Sequence, residues 1–317
     1  MRAMNERPLT PRQWALHLGL FLLTCATTLF AGALSSGGPG LDFAAGGMFA
    51  AAIMSILLVH EMGHYLAARR HGVEASLPYF LPAPFPPVGT FGAIIRMRSG
   101  PRSRLALLDI GVAGPLAGLV PATLLCFIGL RLSPVVELAD LPPGAMLEGN
   151  SVLYWVLKRL AQPDMGPTQD VLLHPLAWAG WLGLLVTSLN LLPAGQLDGG
   201  HVAYALFGPA AHQRLSRTVH VGVFALGMVG LACELMLSFD ETAALAKLRG
   251  WMPWLTRGAG MLPWLVWTLL LRFVGRRHPA TADDGARALP PARRRLGLAT
   301  LALFILTFTP SLWSPLP

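Results

Sequence analysis

Charged residues are scarce in this chain of 317 residues. Asp, Glu, Lys and Arg together make up 13% of it, whereas hydrophobic residues make up 54%, and the mean hydropathy is +0.54. Water-soluble globular domains carry about 25% charged residues. The composition therefore excludes an ordinary soluble domain, and we expect an integral membrane protein.

Cysteine is also scarce, with three residues in the chain. Cys25, Cys126 and Cys233 each lie within an apolar stretch and share no spacing that is typical of metal binding. A disulfide framework and a cysteine-based metal cluster are therefore excluded. We interpret the three residues as small hydrophobic side chains.

Long apolar runs organise the sequence. A transmembrane helix needs about 20 apolar residues, and seven stretches approach this length. They cover roughly residues 14–34, 45–68, 105–130, 175–193, 219–237, 257–275 and 296–314. We predict an all-α polytopic membrane protein, a single domain over residues 1–317 with six to seven transmembrane helices. The first run follows three arginines, so a signal peptide is an alternative that stays open.

The positive net charge of +8 has a topological explanation. We place the N-terminus in the cytoplasm and let seven spans alternate. All of the 24 Lys and Arg residues then lie on the cytoplasmic side except Arg131, Lys158, Arg159, Lys247, Arg249 and Arg257. This bias is the positive-inside pattern, and no basic patch with interleaved aromatic residues indicates RNA or DNA binding. The sequence therefore predicts the lipid bilayer as a partner and no nucleic acid.

Ionisable residues interrupt the second apolar run in the stretch HEMGH, residues 60–64. On a helix, positions i and i+4 share a face, so His60 and His64 can reach one metal ion. Glu61 lies about 100° round the helix, where it can take a proton from water without being a ligand. This is the spacing of a zinc site with a general base. The alternative is a polar face satisfied by neighbouring helices, but ionisable groups inside a membrane are costly and usually functional.

A catalytic zinc site needs a third protein ligand and an open position for water. We expect that ligand in the stretch NLLPAGQLDGGH, residues 190–201. Pro193 ends or kinks the fourth span there, and three glycines permit irregular backbone at membrane depth. Asp198 is the carboxylate of this stretch and our candidate ligand. It could instead cap the next helix, and Asp109 and Glu234 are competitors near helix ends.

HEMGH and NLLPAGQLDGGH together resemble the site-two protease family of intramembrane zinc metalloproteases. The stretches GTFGAIIRMRS and DIGVAGPLAG, residues 89–99 and 109–118, extend the resemblance over most of residues 50–208. The chain is similar to the compact branch that has no inserted PDZ domain. One departure is Gly118, because many relatives carry Asn there, although Gly114 and Gly118 still suit close helix packing.

The resemblance implies a fold, an activity and a set of residue roles. His60, His64 and Asp198 would bind one Zn²⁺ per chain, Glu61 would be the catalytic base, and Asn190 would hold the substrate or the oxyanion. The catalytic core would cover about residues 45–208, with further C-terminal spans over about 216–317. The substrate would be a transmembrane protein, cleaved in regulated intramembrane proteolysis at a site that opens to the cytoplasm. We expect a multi-pass protein of a bacterial inner membrane, of unknown oligomeric state.

Substrate presentation is expected from the stretch VGTFGAIIRMRS, residues 88–99. Its β-branched residues, turn glycines and basic end predict a membrane-associated β-hairpin or short sheet. We predict that the free edge of this sheet binds the substrate as an extended strand, with Gly92, Ile94 and Ile95 as the contact residues. The resemblance also implies such a sheet, and the alternative is a plain interfacial loop.

Two other function classes fit parts of the pattern. A metal or ion transporter could use the same His and Asp cluster, but the sequence has no inverted repeat, and transit would not need a glutamate beside the first histidine. A catalytically silent binding scaffold is the third hypothesis. The presence of every catalytic residue argues against it.

Overall fold

The structure is a computed structural model. It describes residues 10–35, 40–97, 100–101, 103–142, 145–238, 261–273, 281 and 288–315. The helices within these residues are α1 (Pro11–Leu34), α2 (Phe43–Arg70), α3 (Arg104–Leu132), α4 (Val152–Ala161), α5 (Pro175–Asn190), α6 (Asp198–Ser238), α7 (Pro263–Phe273) and α8 (Pro291–Thr307). The strands are β1 (Tyr79–Pro82), β2 (Thr90–Ile94), β3 (Val135–Glu137), β4 (Met146–Glu148), β5 (Gln169–Val171) and β6 (Trp313–Pro315).

Four of these helices are long and apolar enough to cross a membrane, namely α1, α2, α3 and α6. The prediction of a mostly helical membrane protein is confirmed, but six to seven spans are not. The predicted fourth span is α5, which has 16 residues and ends at Asn190, shortly before Pro193. The predicted fifth span is the later part of α6, which begins at Asp198 and is broken at Gly208, where φ is 81°.

The chain divides into two compact units. The first comprises residues 1–134, 172–187 and 281–294, and in it α2 packs against both α1 and α3. Small residues permit this packing. A Cβ at Gly32 of α1 would lie 2.8 Å from the Phe49 ring of α2, and one at Gly46 of α2 would overlap the Leu29 carbonyl of α1. Close approach of this kind is how membrane helices gain van der Waals contact, because lipid supplies no hydrophobic driving force between them.

Side-chain caps fix where the helices of the first unit begin. The Asp42 carboxylate accepts hydrogen bonds from the backbone N–H groups of Ala44 and Ala45, and the Ser103 hydroxyl accepts one from Ala106. Each cap satisfies donors that the first turn of a helix leaves without partners.

A two-stranded antiparallel sheet also belongs to the first unit. Strand β1 pairs with β2 in a register that places Tyr79 opposite Ile94 and Phe80 opposite Ala93. The sheet packs on α1, where His17 is buried, contacts the Tyr79 ring and donates from Nδ1 to the Pro78 carbonyl at 3.1 Å. The predicted hairpin is therefore present, with β1 lying upstream of the predicted stretch.

The second unit comprises residues 135–171, 188–280 and 295–317. Two further two-stranded antiparallel sheets pair β3 with β5 and β4 with β6. In the same unit α6 packs against α7, where the Leu265 side chain lies 2.7 Å from the position that a Cβ on Gly227 would take. Helix α4 begins at a Ser151 cap and carries the buried residues Tyr154 and Lys158.

Candidate metal centre

The HEMGH stretch lies on α2, within its C-terminal half. His60, Glu61 and His64 are 5%, 6% and 7% exposed, so all three ionisable side chains are buried in the helix bundle of the first unit. Burial of such groups without partners would cost several kcal/mol each. Three buried ionisable side chains within five residues of an apolar helix indicate a functional site.

The two histidines face each other across one turn of α2. Their Nε2 atoms are 3.1 Å apart, and the ring planes are inclined by 71°. Two nitrogen ligands of a tetrahedral zinc ion, each about 2.0–2.1 Å from it, stand about 3.3–3.4 Å apart. The observed separation is close to that value, so both lone pairs can point at one ion after a small adjustment.

A backbone carbonyl of α3 orients the second histidine. Nδ1 of His64 lies 2.8 Å from the carbonyl oxygen of Ile110. A carbonyl can only accept, so Nδ1 must carry the proton and donate, which leaves the Nε2 lone pair for a ligand. Metal-binding histidines are usually oriented by such a hydrogen bond from the other ring nitrogen.

Glycines make room for the histidines between α2 and α3. A Cβ on Gly114 would overlap Nε2 of His64, and a Cβ on Gly118 would lie 2.9 Å from Cβ and 3.1 Å from Nδ1 of His60. On the facing helix, a Cβ on Gly63 would overlap the Ala113 carbonyl. The predicted close packing at Gly114 and Gly118 is thus present, and it brings the Ile110 carbonyl within reach of His64.

The stretch NLLPAGQLDGGH, residues 190–201, forms a compact turn that joins α5 to α6. Its centre is Gly195, which has φ of 55°. The Gly195 N–H donates to the Ser216 hydroxyl at 3.2 Å, and Nε2 of His212 donates to the Gly195 carbonyl at 3.1 Å. Both partners belong to α6 and are buried, so the turn is fixed by hydrogen bonds that replace those of a regular helix.

Two further glycines let α6 start directly beneath this turn. A Cβ on Gly199 would overlap the Leu191 carbonyl, and a Cβ on Gly200 would lie 2.7 Å from the Ala194 carbonyl oxygen. Asp198 immediately precedes them as the first residue of α6 and is partly buried. The expectation of irregular backbone at this point is confirmed.

His60, His64 and Asp198 form a group that could hold a metal ion. Each offers one ligand atom, and the three atoms lie within 4.8 Å of one another. Two imidazoles and one carboxylate are a donor set that zinc accepts in catalytic sites, where a fourth position stays open for water. The residues present therefore fit zinc.

The competing carboxylate of α3 is engaged elsewhere. Asp109 Oδ2 lies 2.9 Å from Nε2 of His71, and its Oδ1 lies 3.2 Å from Nε of Arg293. His71 is the C-cap of α2 and Arg293 belongs to the first turn of α8. Asp109 thus ties helix ends together, which is the role expected of a carboxylate at a helix terminus.

The remaining candidate residues lie at the ends of elements. Asn190 is the last residue of α5 and is partly buried. Gly92 and Ile94 belong to β2, and Ile95 follows it directly. Gly92 has φ of 93°, and its N–H donates to the Thr90 hydroxyl at 3.0 Å.

Three groups that position the candidate ligands are not among the residues expected from the sequence. The Ile110 carbonyl belongs to an apolar residue, and no side-chain pattern can reveal a backbone acceptor. His212 looks like a packing histidine, and Ser216 like a solvated helix residue. The one available signal is Gly195 itself, because a left-handed turn in a membrane needs partners for its backbone groups.

Comparison with known proteins adds independent information. The sequence model of Peptidase family M50 matches residues 48–233. The chain is 32% identical over 193 residues to "Probable zinc metalloprotease EGY2, chloroplastic" of Oryza sativa subsp. indica, a match that covers 61% of this chain and 34% of that protein. It is 37% identical over 180 residues to "Probable zinc metalloprotease EGY1, chloroplastic" of Arabidopsis thaliana, covering 55% and 32%. No solved structure matches the chain.

A longer but weaker match involves a third relative. "Probable zinc metalloprotease EGY3, chloroplastic" of Oryza sativa subsp. indica is 29% identical over 283 residues, covering 82% of this chain and 41% of that protein. The chain thus spans about a third to two fifths of the length of these relatives. Their names refer to chloroplasts, so they give no support to the bacterial inner membrane expected from the sequence.

Proposed function

The chain belongs to peptidase family M50, the site-two proteases, and on this premise we propose that it is a zinc metalloprotease that hydrolyses peptide bonds within or near the transmembrane segments of membrane proteins. The observation that carries the proposal is the group of His60, His64 and Asp198, whose ligand atoms lie within 4.8 Å of one another. The first two members are buried in a helix that is long and apolar enough to span a membrane. The relatives with names that specify zinc metalloproteases support the same activity.

In this proposal His60, His64 and Asp198 hold one Zn²⁺ per chain. The ion, when bound, supplies a Lewis acid that acidifies water and polarises a carbonyl group. Glu61, next to the first ligand but turned about 100° from it, accepts the proton of the attacking water. It then passes that proton to the amine nitrogen that leaves as the peptide C–N bond breaks.

Asn190 is our candidate for stabilising charge on the substrate. Its amide can donate a hydrogen bond, and a fixed donor is most effective where negative charge develops on the carbonyl oxygen. The end of α5 supports this role because the chain turns immediately after Asn190, which leaves the residue at the edge of the helix. Removing one such donor in other hydrolases costs about 10²–10³ in turnover.

The activity can be tested with the purified full-length protein and a labelled transmembrane peptide. We expect cleavage by the wild type, loss of cleavage with a zinc chelator, and recovery after zinc is restored. Glu61→Gln should bind zinc normally and cleave about 10²–10⁴-fold more slowly, the usual contribution of a general base. Cleavage at the wild-type rate would remove Glu61 from the mechanism, whereas metal movement across vesicles without cleavage would favour a transporter.

We further propose that the free edge of β2 binds the substrate as an extended strand. A helical substrate hides its carbonyls in hydrogen bonds, so the bond to be cut must be unwound, and the released backbone groups then need new partners. β2 is paired on one side with β1. Phe91 and Ile94 of β2 are 73% and 54% exposed, so side chains of this strand are accessible to a ligand.

The direction of the backbone groups near Ile95 sharpens this proposal. The Arg96 N–H donates to the Ser76 hydroxyl and its carbonyl accepts from the Ser76 N–H, both at 2.9 Å. Arg96 therefore turns its backbone groups toward the segment that leads into β1. Because successive residues of an extended chain alternate in direction, the Ile95 N–H points the other way, toward the free edge.

Proline at position 95 tests whether the free edge of β2 binds the substrate. Ile95→Pro removes one donor from the free edge, and we expect it to raise KM strongly while zinc content and membrane insertion stay normal. The matched control is Val152→Pro, which introduces the same residue at an exposed apolar position, the first residue of α4, where proline removes no helical hydrogen bond. Equal KM values for wild type and Ile95→Pro would leave β2 with no part in substrate binding.

The orientation in the membrane follows from the charge bias of the sequence. We propose that the C-terminal end of α2 faces the cytoplasm and that the segment joining α3 to α5 faces the opposite side. Glu74 and Asn150 are exposed residues of these two regions. Single cysteines in their place should react with impermeant reagents from opposite sides, and reaction from one side would refute this topology. The single domain over residues 1–317, with its core at about 45–208, remains a prediction.

A further inference from the structure

The second unit contains a buried charge cluster, formed by residues of the segment that follows α3 and precedes α5 in the sequence. Nζ of Lys158 is 2.6 Å from Glu148 Oε1 and 2.6 Å from Asp170 Oδ1. The Tyr154 hydroxyl donates to the same oxygen of Glu148 at 2.6 Å. The Lys158 and Glu148 side chains are 5% and 6% exposed, and that of Asp170 is 17% exposed. The proposed protease mechanism uses none of these residues.

The cluster holds one more carboxylate than it holds ammonium groups. Burial lowers the pKa of Lys158, but attraction to Glu148 and Asp170 and the hydrogen bonds to both raise it further, so the pKa ends above its ordinary value. Lys158 is therefore charged at neutral pH. With both carboxylates ionised, the group carries a net charge of minus one, and a buried unbalanced charge is costly unless a cation approaches.

Two carboxylate oxygens of the cluster remain available. All hydrogen bonds to Glu148 use Oε1, and those to Asp170 use Oδ1, which also accepts from the Val171 N–H. Oε2 of Glu148 and Oδ2 of Asp170 have no hydrogen-bond partner among the described residues, and neither is a solvent-inaccessible atom. They can therefore accept hydrogen bonds from a ligand.

Both carboxylates line a cavity of about 550 Å³. This size falls within the range of about 300–1,000 Å³ that is usual for ligand sites. The walls combine polar residues with apolar ones such as Leu147, Trp155 and Met261. Arg159 also lines the cavity, but it is exposed to solvent and donates to the Met165 carbonyl at 3.1 Å, so the excess charge of the buried cluster remains negative. Trp155 is 52% exposed, and an indole face can attract a cation within about 6 Å.

We propose that this cavity binds the side chain of a lysine or arginine from a polypeptide, with its cationic head against Glu148 and Asp170 and its methylene stem along the apolar wall. Carboxylates beside apolar side chains suit such a ligand, which is apolar along its length and charged at the tip. We assign the side chain to the flank of the membrane-spanning substrate, since that flank emerges on the face where we place the α3–α5 segment. This last assignment rests on the proposed protease function.

Binding can be measured without any proteolysis. The probe is Nα-acetyl-lysine methylamide, with Nα-acetyl-norleucine methylamide as its uncharged counterpart, and saturation-transfer NMR on the full chain in detergent gives the affinities. We expect the lysine probe to bind at least about tenfold more tightly, because its ammonium group can donate to both carboxylates and the norleucine side chain cannot. Equal affinity of the two probes would overturn the proposal.

Asp170→Asn is the decisive variant. Its amide oxygen can still accept from Lys158 and from the Val171 N–H, so the cluster keeps its hydrogen bonds but loses the excess negative charge. We expect the lysine probe to bind about tenfold more weakly. Asp164→Asn is the matched control, since Asp164 is exposed, lies in the same segment and does not line the cavity. Unchanged affinity in Asp170→Asn, or an equal loss in Asp164→Asn, would refute the site.

Trp155→Leu provides a second variant that leaves the charge cluster intact. It removes the aromatic wall while keeping an apolar one, so we expect weaker binding of the lysine probe with no change in thermal stability. If Asp170→Asn should unfold, this variant still decides the question. Full affinity in Trp155→Leu would then contradict the proposed position of the cation.

A substrate comparison separates the polypeptide from a free amine. Two membrane peptides carry either Lys or Gln in the flank opposite the cytoplasmic side, and we expect a lower KM for the Lys peptide with a similar kcat. Spermidine, tested by the same NMR method, represents a free polyamine. Tighter binding of spermidine together with equal KM values would overturn the substrate assignment. Loss of all cleavage with intact probe binding would instead refute the protease function alone.

Discussion

The histidines and the carboxylate of the candidate metal centre are held by two different kinds of backbone. His60 and His64 lie on one face of the regular helix α2, and glycines of α3 and the Ile110 carbonyl fix their position. Asp198 begins α6 after an irregular turn, which is held by His212 and Ser216. A helix positions ligands through its periodicity and its packing, whereas the turn depends on a few hydrogen bonds to backbone atoms. The two parts should therefore fail in different ways.

The largest effect is expected where the helix packing is tightest. In Gly114→Ala the new methyl group would overlap Nε2 of His64, so the imidazole must rotate or α2 and α3 must separate. Overpacking of this kind costs about 1–3 kcal/mol. We expect a lower Tm together with loss of most bound zinc and most activity, measured by thermal unfolding and metal analysis. Normal zinc content in this variant would show that Gly114 does not constrain His64.

A smaller and more selective effect is expected at the turn. His212→Phe removes the donor to the Gly195 carbonyl, and a buried acceptor without a partner costs about 1–3 kcal/mol. Because the turn precedes Asp198, we expect zinc affinity to fall about tenfold. A competition titration with a zinc chelator measures this change.

The same substitution at His17 is the control for the turn. His17 is also buried and donates to a carbonyl, that of Pro78, at 3.1 Å, but it lies in the contact between α1 and the sheet. His17→Phe should lower the Tm and leave zinc affinity unchanged. Equal losses of zinc affinity in both variants would mean that the effect is one of general stability and not of the turn.

The smallest effect is expected at a glycine of α2 that has free space around it. A Cβ on Gly47 would meet nothing within 4 Å, and alanine is favoured over glycine in helices by about 1 kcal/mol. Gly47→Ala should therefore raise the Tm slightly and leave zinc content and activity unchanged. A large loss of either would show that small residues along α2 matter for a reason other than contact with α3.

The same contrast explains how much of the molecule could be predicted from the sequence. Helix spacing alone placed His60 and His64 on one face, and Pro193 with its neighbouring glycines indicated the break before Asp198. The Ile110 carbonyl and the His212 and Ser216 contacts could not be predicted, because they depend on tertiary packing of residues that are ordinary in type. The number of spans stays a prediction: α5 has 16 residues, fewer than a bilayer crossing usually needs, and parts of the predicted sixth span at 257–275 lie outside the described residues.

The most direct test of the central claim is the zinc content of the purified protein. We predict about one zinc per chain in the wild type and little in His60→Ala or Asp198→Ala. Asp109→Asn is the matched control, because Asp109 is a carboxylate with 13% side-chain exposure that binds His71 and Arg293, and it should keep its zinc. A wild-type protein that takes up no zinc, or full zinc in Asp198→Ala, would contradict the assignment of His60, His64 and Asp198 as the metal ligands.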